Sequence, residues 1–216
     1  HWNEKFETNF SDQYITWGWK NNDKNYPIGI TKKIDFKQKK NDKIKTNKYL
    51  YFLRSRPIYT IKLNSSTGTN QMSKYFENCL NFFQNQKLKK LQNIIIPRFH
   101  ESNFGWRHEK IWSSKLPNVN FTYTNTESLN FAYKHYGLFI YSYIGTGFLE
   151  SIALDKPFIL ISPLKDWPLR QSAISDFDNL RKAKIFFEDN DSAINHLINI
   201  DNRIDEWWND DEVVKI

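Results

Sequence analysis

From residue 48 to residue 187 the chain repeats one pattern: a short apolar or aromatic run, a turn, then apolar residues at helical spacing. The runs are Tyr49 to Leu53, Asn93 to Ile96, Val119 to Tyr123, Leu138 to Ser142, Phe158 to Ile161 and Lys184 to Phe187. Between them, Met72, Tyr75, Phe76, Cys79, Leu80 and Phe83 mark a helix over Gln71 to Gln84. Further helices are expected at Glu127 to Tyr136, Phe177 to Lys182 and Ser192 to Ile200. The terminal RIDEWWNDDEVVKI reads as one more, with Trp207 and Trp208 in need of burial. Strands that alternate with helices call for crossover connections. The fold class is therefore α/β: a parallel sheet with helices on both faces, a Rossmann-like unit.

The sharpest punctuation is SYIGTGFLESIALDKPFILIS, residues 142 to 162. The chain has seven glycines, and Gly145 and Gly147 bracket this one turn. The stretch reads as strand, tight turn, helix and, after Pro157, a second buried strand. Phe148, Leu149, Ile152 and Ala153 supply the helix with an apolar face. Glycines at such a turn let backbone N–H groups approach a ligand closely, and the helix N-terminus adds partial positive charge suited to phosphate. Thr146 and Glu150, four apart, are expected on one side of the helix. Thr146 would donate to a phosphate oxygen, and Glu150 would accept from ribose hydroxyls. The competing expectation is local: Thr146 as N-cap, with Glu150 in a capping-box-like arrangement.

In an open parallel sheet, ligands bind outside the carboxyl ends of the strands, where strand order reverses. Arg54 and Arg56 follow the first run, and Arg98, His100 and the GWRHE segment follow the second. Gly145 to Gly147 follow the fourth run, and PLKDWPLR, with Trp167 and Arg170, follows the fifth. With the common order 3-2-1-4-5-6, the first and fourth strands are neighbours and Arg54 faces the glycine turn. Trp167 could stack on a base from its loop. His100 and His108 lack metal-ligand spacing, so no metal is expected, and no cofactor is implied. His135 and His196 fall in helices and read as structural or solvated. No Ser/His/Asp set has a recognisable spacing.

The 216 residues suffice for a full core and suggest one large domain or a domain plus a piece of another. Cys79 is the only cysteine, which excludes an internal disulfide, and it reads as core. No apolar run approaches the ~20 residues that cross a bilayer, and the polar, aromatic start has no signal-peptide pattern. A cytoplasmic protein is expected, at most peripheral to the inner membrane. The chain opens with His1, so a truncated or processed start is expected. Of the net charge of +7, residues 32 to 48 hold eight lysines against two aspartates, a net +6. Concentration in one unpatterned segment argues for a linker, or a patch for anionic substrate or lipid head groups, and against nucleic acid.

The ordered set DQYITWGW…PIG, YLYFLRS, IIIPRFHESNFGW, GTGFLESIALDKPFIL, DWPLR and the terminal WW resembles the carboxyl-terminal half of a bacterial transferase family. That family belongs to surface-polysaccharide gene clusters and has the GT-B architecture of two Rossmann-like domains. More distantly it is similar to glycerophosphotransferases that use CDP-glycerol. The resemblance implies residues 1–31 as the remnant of an amino-terminal domain with a hinge near Pro27 to Thr31, and 32–47 as a lysine-rich linker. It implies a donor-binding domain at 48–200 and, at 201–216, a helix packing toward the amino-terminal half. It further implies a nucleotide sugar or related donor held by Arg54, Arg98, Gly145, Thr146, Gly147, Glu150, Trp167 and Arg170. The acceptor would be a polysaccharide or lipid-linked molecule, with the catalytic base outside this half. A polyol-phosphate transferase, a sugar-nucleotide epimerase and a non-enzymatic nucleotide or lipid-surface module remain as alternatives.

Overall fold

A computed structural model describes residues 2–16, 18–29, 46–59 and 68–216. The expected linker lies outside the described residues apart from Thr46 and Asn47, as do Ile30 and Thr31 of the expected hinge. The chain forms two compact units, His1–Gln38 and Lys39–Ile216.

The first unit holds helix α1 (Trp2–Phe10) and two three-residue strands, β1 (Tyr14–Thr16) and β2 (Asn25–Pro27). The strands pair in parallel, Tyr14 opposite Asn25. The turn before β2 is closed by Asn25, whose Oδ1 accepts the Asn21 and Asn22 amides at 3.0 and 3.2 Å. The helix was not among the elements expected from sequence. Its signal is Trp2, Phe6 and Phe10 at four-residue spacing, which brings the Phe6 and Phe10 rings within 4.6 Å.

The second unit runs β3 (Tyr49–Phe52), α2 (Thr69–Gln84), β4 (Ile95–Phe99), α3 (His108–Lys115), β5 (Thr122–Tyr123), α4 (Leu129–His135) and β6 (Leu138–Tyr141). It continues α5 (Thr146–Ala153), β7 (Phe158–Ile161), α6 (Ile174–Lys182), β8 (Phe186–Phe187), α7 (Asn190–Ile200), α8 (Ile204–Trp208) and α9 (Asp211–Val214). Its six strands form one sheet in the order β5-β4-β3-β6-β7-β8, every pair parallel. Numbered within the sheet this is 3-2-1-4-5-6, the Rossmann-like order expected from sequence.

Alternation along each strand splits the core in two. Tyr49, Tyr51, Ile95, Phe99, Ile140 and Ile159 face α2, α3 and α7. Leu50, Phe52, Ile96, Phe139, Tyr141 and Leu160 face α4, α5 and α6. Each fully buried aromatic contributes roughly 1.5–3 kcal/mol. Several expected boundaries move: the third and sixth strands shorten to Thr122–Tyr123 and Phe186–Phe187, and the second runs on through Pro97 to Phe99. Tyr49 and Leu53 donate to the carbonyls of Ile94 and Arg98, so even-numbered β4 residues face β3. The missing N–H of Pro97 therefore points toward β5, which pairs only with Arg98 and Phe99. A proline sits there without breaking a ladder bond.

The tail closes over the sheet's opposite end in two short helices, not one. Trp207 donates its indole N–H to the Ala183 carbonyl at 3.2 Å, and Trp208 donates to Asp155 Oδ1 at 3.0 Å. Both rings are half-buried against this same unit. Among the described residues no helix is long and apolar enough to cross a membrane.

Candidate functional site

At the carboxyl edge of the sheet, Phe52 of β3 lies opposite Tyr141 of β6. The two strands are joined beyond that point by a buried chain of polar groups. The Arg54 amide donates to Tyr75 Oη at 2.6 Å, Tyr75 lies 2.5 Å from Ser142 Oγ, and Ser142 donates to the Phe52 carbonyl at 2.6 Å. Since the Ser142 proton goes to Phe52, the Tyr75 proton goes to Ser142. Burial holds the Tyr75 phenol well above its ordinary range, so it stays protonated and the chain keeps its direction. This fastens α2 to the point where strand order reverses.

Arg54 leaves that anchor with its guanidinium carbon 4.6 Å from the Trp167 ring centroid and 6.0 Å from that of Tyr143. Groups following three strands thus meet. Partial burial, then the nearby Arg56, lowers the Arg54 pKa, yet an arginine remains charged. The exit of β3 is tied to the GWRHE loop, because Trp106 donates its indole N–H to the Arg56 carbonyl at 2.7 Å. Arg98 sits on the other side of the sheet. Its Nη2 donates to the Glu127 carbonyl at 2.7 Å and its guanidinium lies 5.6 Å from the Phe52 ring. The residue is 7% exposed, and among the described residues its buried Nε has no partner. Burial lowers its pKa, opposed chiefly by the Glu127 carboxylate.

The charges of both arginines act on Tyr143. Burial raises its pKa, while Arg54, Arg98 and Arg56 pull it down and Glu150 pushes it up. The sequence pattern ends this strand at Ser142 and does not bring Tyr143 into the site. The available signal was its place two residues before Gly145, because its ring uses the space that glycine leaves. A Cβ at Gly145 would stand 2.4 Å from Tyr143 Cε2, and one at Gly147 would stand 2.7 Å from Tyr141 Cε1. The glycines thus admit two tyrosine rings.

Gly145 is the N-cap of α5 and offers no side chain to the first-turn N–H groups. Thr146 is the first helical residue and is exposed. The capping alternative for Thr146 and Glu150 is thereby excluded. Nor do the two share an open face. Glu150 is buried and receives the Tyr133 hydroxyl at 3.5 Å, beside a 2.7 Å Tyr141–Ser151 hydrogen bond. Burial, and less so the Glu150 charge, raises the Tyr133 phenol to about 12. Arg170 is exposed where a short 3-10 turn, Gln171–Ala173, begins. The structure therefore places Arg54 by the Trp167 and Tyr143 rings, Gly145 against Tyr143 and Gly147 against Tyr141, with Arg98 and Glu150 acting on Tyr143 through their charge and Thr146 exposed at the start of α5.

His108 and His196 are buried, and burial lowers both to about 4, with Lys184 adding to the shift of His196. His100 accepts the Ser102 amide at 3.1 Å and stands 3.6 Å from Glu101.

A six-stranded parallel sheet in this order, with helices on both faces, defines an α/β domain of the Rossmann-like class. A family model described as LIC12162 family transferase matches residues 1–216, and the chain belongs to this family of transferases. No curated protein and no solved structure matches it.

Proposed function

We propose that this domain binds the nucleotide-activated donor, a nucleotide sugar or a related compound, of a glycosyltransferase-like reaction in bacterial surface-polysaccharide synthesis. The observation that carries the reading is the Arg54 guanidinium held by the Trp167 and Tyr143 rings beside the uncapped N-terminus of α5, with the charge of Arg98 also acting on Tyr143. Two partly dehydrated guanidinium groups and a helix N-terminus suit a diphosphate. The same groups stabilise a diphosphate as it leaves, when the bond from its oxygen to the donor carbon breaks and the electron pair stays on that oxygen. Thr146 adds a hydroxyl donor, and Trp167 an aromatic surface. Glu150 is given a positioning role beneath Tyr133 and Tyr143, and the acceptor is a polysaccharide or lipid-linked molecule.

Calorimetry against CDP, UDP, GDP and ADP tests the reading. One of them is expected to bind, and Arg54→Ala is expected to weaken it roughly 10–100-fold, as loss of a hydrogen bond to a charged group does. Absence of binding to all four at millimolar ligand would overturn it.

A further inference from the structure

A groove of about 500 Å³ opens beside Trp167, between α2 and the loops that follow β7 and β8. One wall is a polar stripe of α2, Lys74, Asn78 and Asn81, spaced four and three residues apart. The facing wall carries Lys165, Asp166 and Trp167.

Several carboxylates at the rim already have partners. Glu188 pairs with Arg181 at 2.7 Å, and Asp189 accepts the Ser192 amide and hydroxyl at 2.8 and 2.9 Å. Asp191 accepts from Asn85 at 2.9 Å. Among the described residues, the side chains of Lys74, Glu77, Lys165 and Asp166 have neither a hydrogen bond nor an ion pair. The lining lysines Lys74 and Lys165 stand against Glu77, Asp166, Glu188, Asp189 and Asp191. Among the described residues only Glu188 of these carboxylates has a cationic partner, Arg181, so the groove is net acidic where the neighbouring crevice is cationic. A phosphate finds no excess of positive charge here. A neutral group rich in hydroxyls finds both partners each hydroxyl needs, carboxylates to donate to and ammonium or amide N–H groups to accept from. The indole offers an apolar surface for its C–H face.

We propose that this groove binds the neutral polyhydroxyl portion, glycosyl or polyol, of the transferase's substrates. Trp167 is the shared wall: it carries the Arg54 guanidinium and also lines the groove. A donor whose diphosphate lies at Arg54 can therefore extend its hydroxyl-rich part past the indole. That link rests on the donor reading above, whereas the groove's own preference does not. The portion can come from the donor or from a saccharide acceptor.

The test uses the full chain and the double variant Lys74→Ala/Asn81→Ala, both positions being exposed on α2. Calorimetry compares UDP-glucose and UDP-N-acetylglucosamine with UDP, and CDP-glycerol with CDP. Saturation-transfer NMR measures maltotriose and chitotriose without nucleotide. At least one activated compound or free saccharide is expected to bind through its hydroxyl-rich part, and the variant is expected to weaken that contribution about tenfold. The affinity of the bare nucleotide should be unchanged. A variant-sensitive gain in the nucleotide pairs identifies the donor's own group, and variant-sensitive saccharide binding alone identifies an acceptor. Saccharide binding with no nucleotide binding at all would sink the donor reading and leave the groove standing. The proposal is overturned if no hydroxyl-rich portion adds affinity, or if the variant leaves that added affinity intact.

Discussion

Alanine at Gly145 separates two roles for this glycine, room for a ligand and room for Tyr143. The backbone itself would tolerate the change, since φ is −143° and the residue is extended. The new Cβ, however, would lie 2.4, 3.0 and 3.3 Å from three atoms of the Tyr143 ring. Carbon atoms pack at about 3.5–4.0 Å, so the ring must retreat by about 1 Å, and it is held between Arg54 and the turn. Overpacking of this kind costs about 1–3 kcal/mol. For a chain of this size that lowers Tm by about 2–12 °C. Thermal unfolding of Gly145→Ala, Tyr143→Ala and the double variant measures the effect as a cycle. Removing the ring should remove the clash, so the single costs should fail to add, by about 0.5–3 kcal/mol. Nucleotide affinity should fall in Gly145→Ala because Tyr143 is displaced from Arg54. Additive costs, or a Tm equal to that of the parent, would refute the tyrosine account. A Tm equal to the parent with affinity lost would return the glycine to direct ligand contact.

Ser142→Ala should cost about 1–3 kcal/mol in denaturant unfolding, because the buried Tyr75 hydroxyl loses its acceptor; adding Tyr75→Phe should recover part of it. His108 and His196 are each lowered to about 4 in the fold, against about 6.5 when unfolded. The unfolded chain therefore binds more protons between those values, and stability complete above pH 6.5 falls as pH drops toward 4. Tm measured across that range should flatten in His108→Phe/His196→Phe relative to the parent. Neutralising the lysines from Lys32 to Lys48 should leave Tm and nucleotide affinity nearly unchanged. Vesicle co-sedimentation with anionic lipid should weaken, at about 1 kcal/mol per basic residue near the surface; equal partitioning would mark a linker alone.

The sheet was legible because every strand is a compact apolar run between turn signals, and because parallel neighbours leave few orders open. The polar edge was legible for the same reason: the residues after each run fall at one end of the sheet. Pro97 misled the boundary of β4, since its open N–H side depends on how short β5 is, and no local signal in β4 carries that length. Tyr143 was hidden for a related reason. An aromatic at a strand end reads as core, and only the tertiary placement of Arg54, Arg56 and Arg98 gives its hydroxyl a cationic setting.

Helix α5 shows most clearly what hydrophobic periodicity misses. The expected apolar face was Phe148, Leu149, Ile152 and Ala153, yet Ile152 is 42% exposed while Glu150 and Ser151 are buried with Phe148. The helix is turned because the surface beneath it bears tyrosine hydroxyls: Tyr141 pairs with Ser151, and Tyr133 with Glu150. A buried polar pair offsets its own dehydration, so the stripe that faces inward need not be the most apolar one. This placement makes a definite statement about Glu150. If its carboxylate acts from beneath, through Tyr133 and Tyr143, then Glu150→Gln disturbs the turn that receives the diphosphate. The affinities for UDP and for pyrophosphate should then fall by a similar factor. If instead the carboxylate reaches a ribose hydroxyl, its loss should be worth about 1.5–3 kcal/mol for UDP and nothing for pyrophosphate, which has no ribose. Paired calorimetric titrations of the two ligands decide. The expected result is parallel loss, and a loss confined to UDP would place Glu150 in direct contact with the nucleoside.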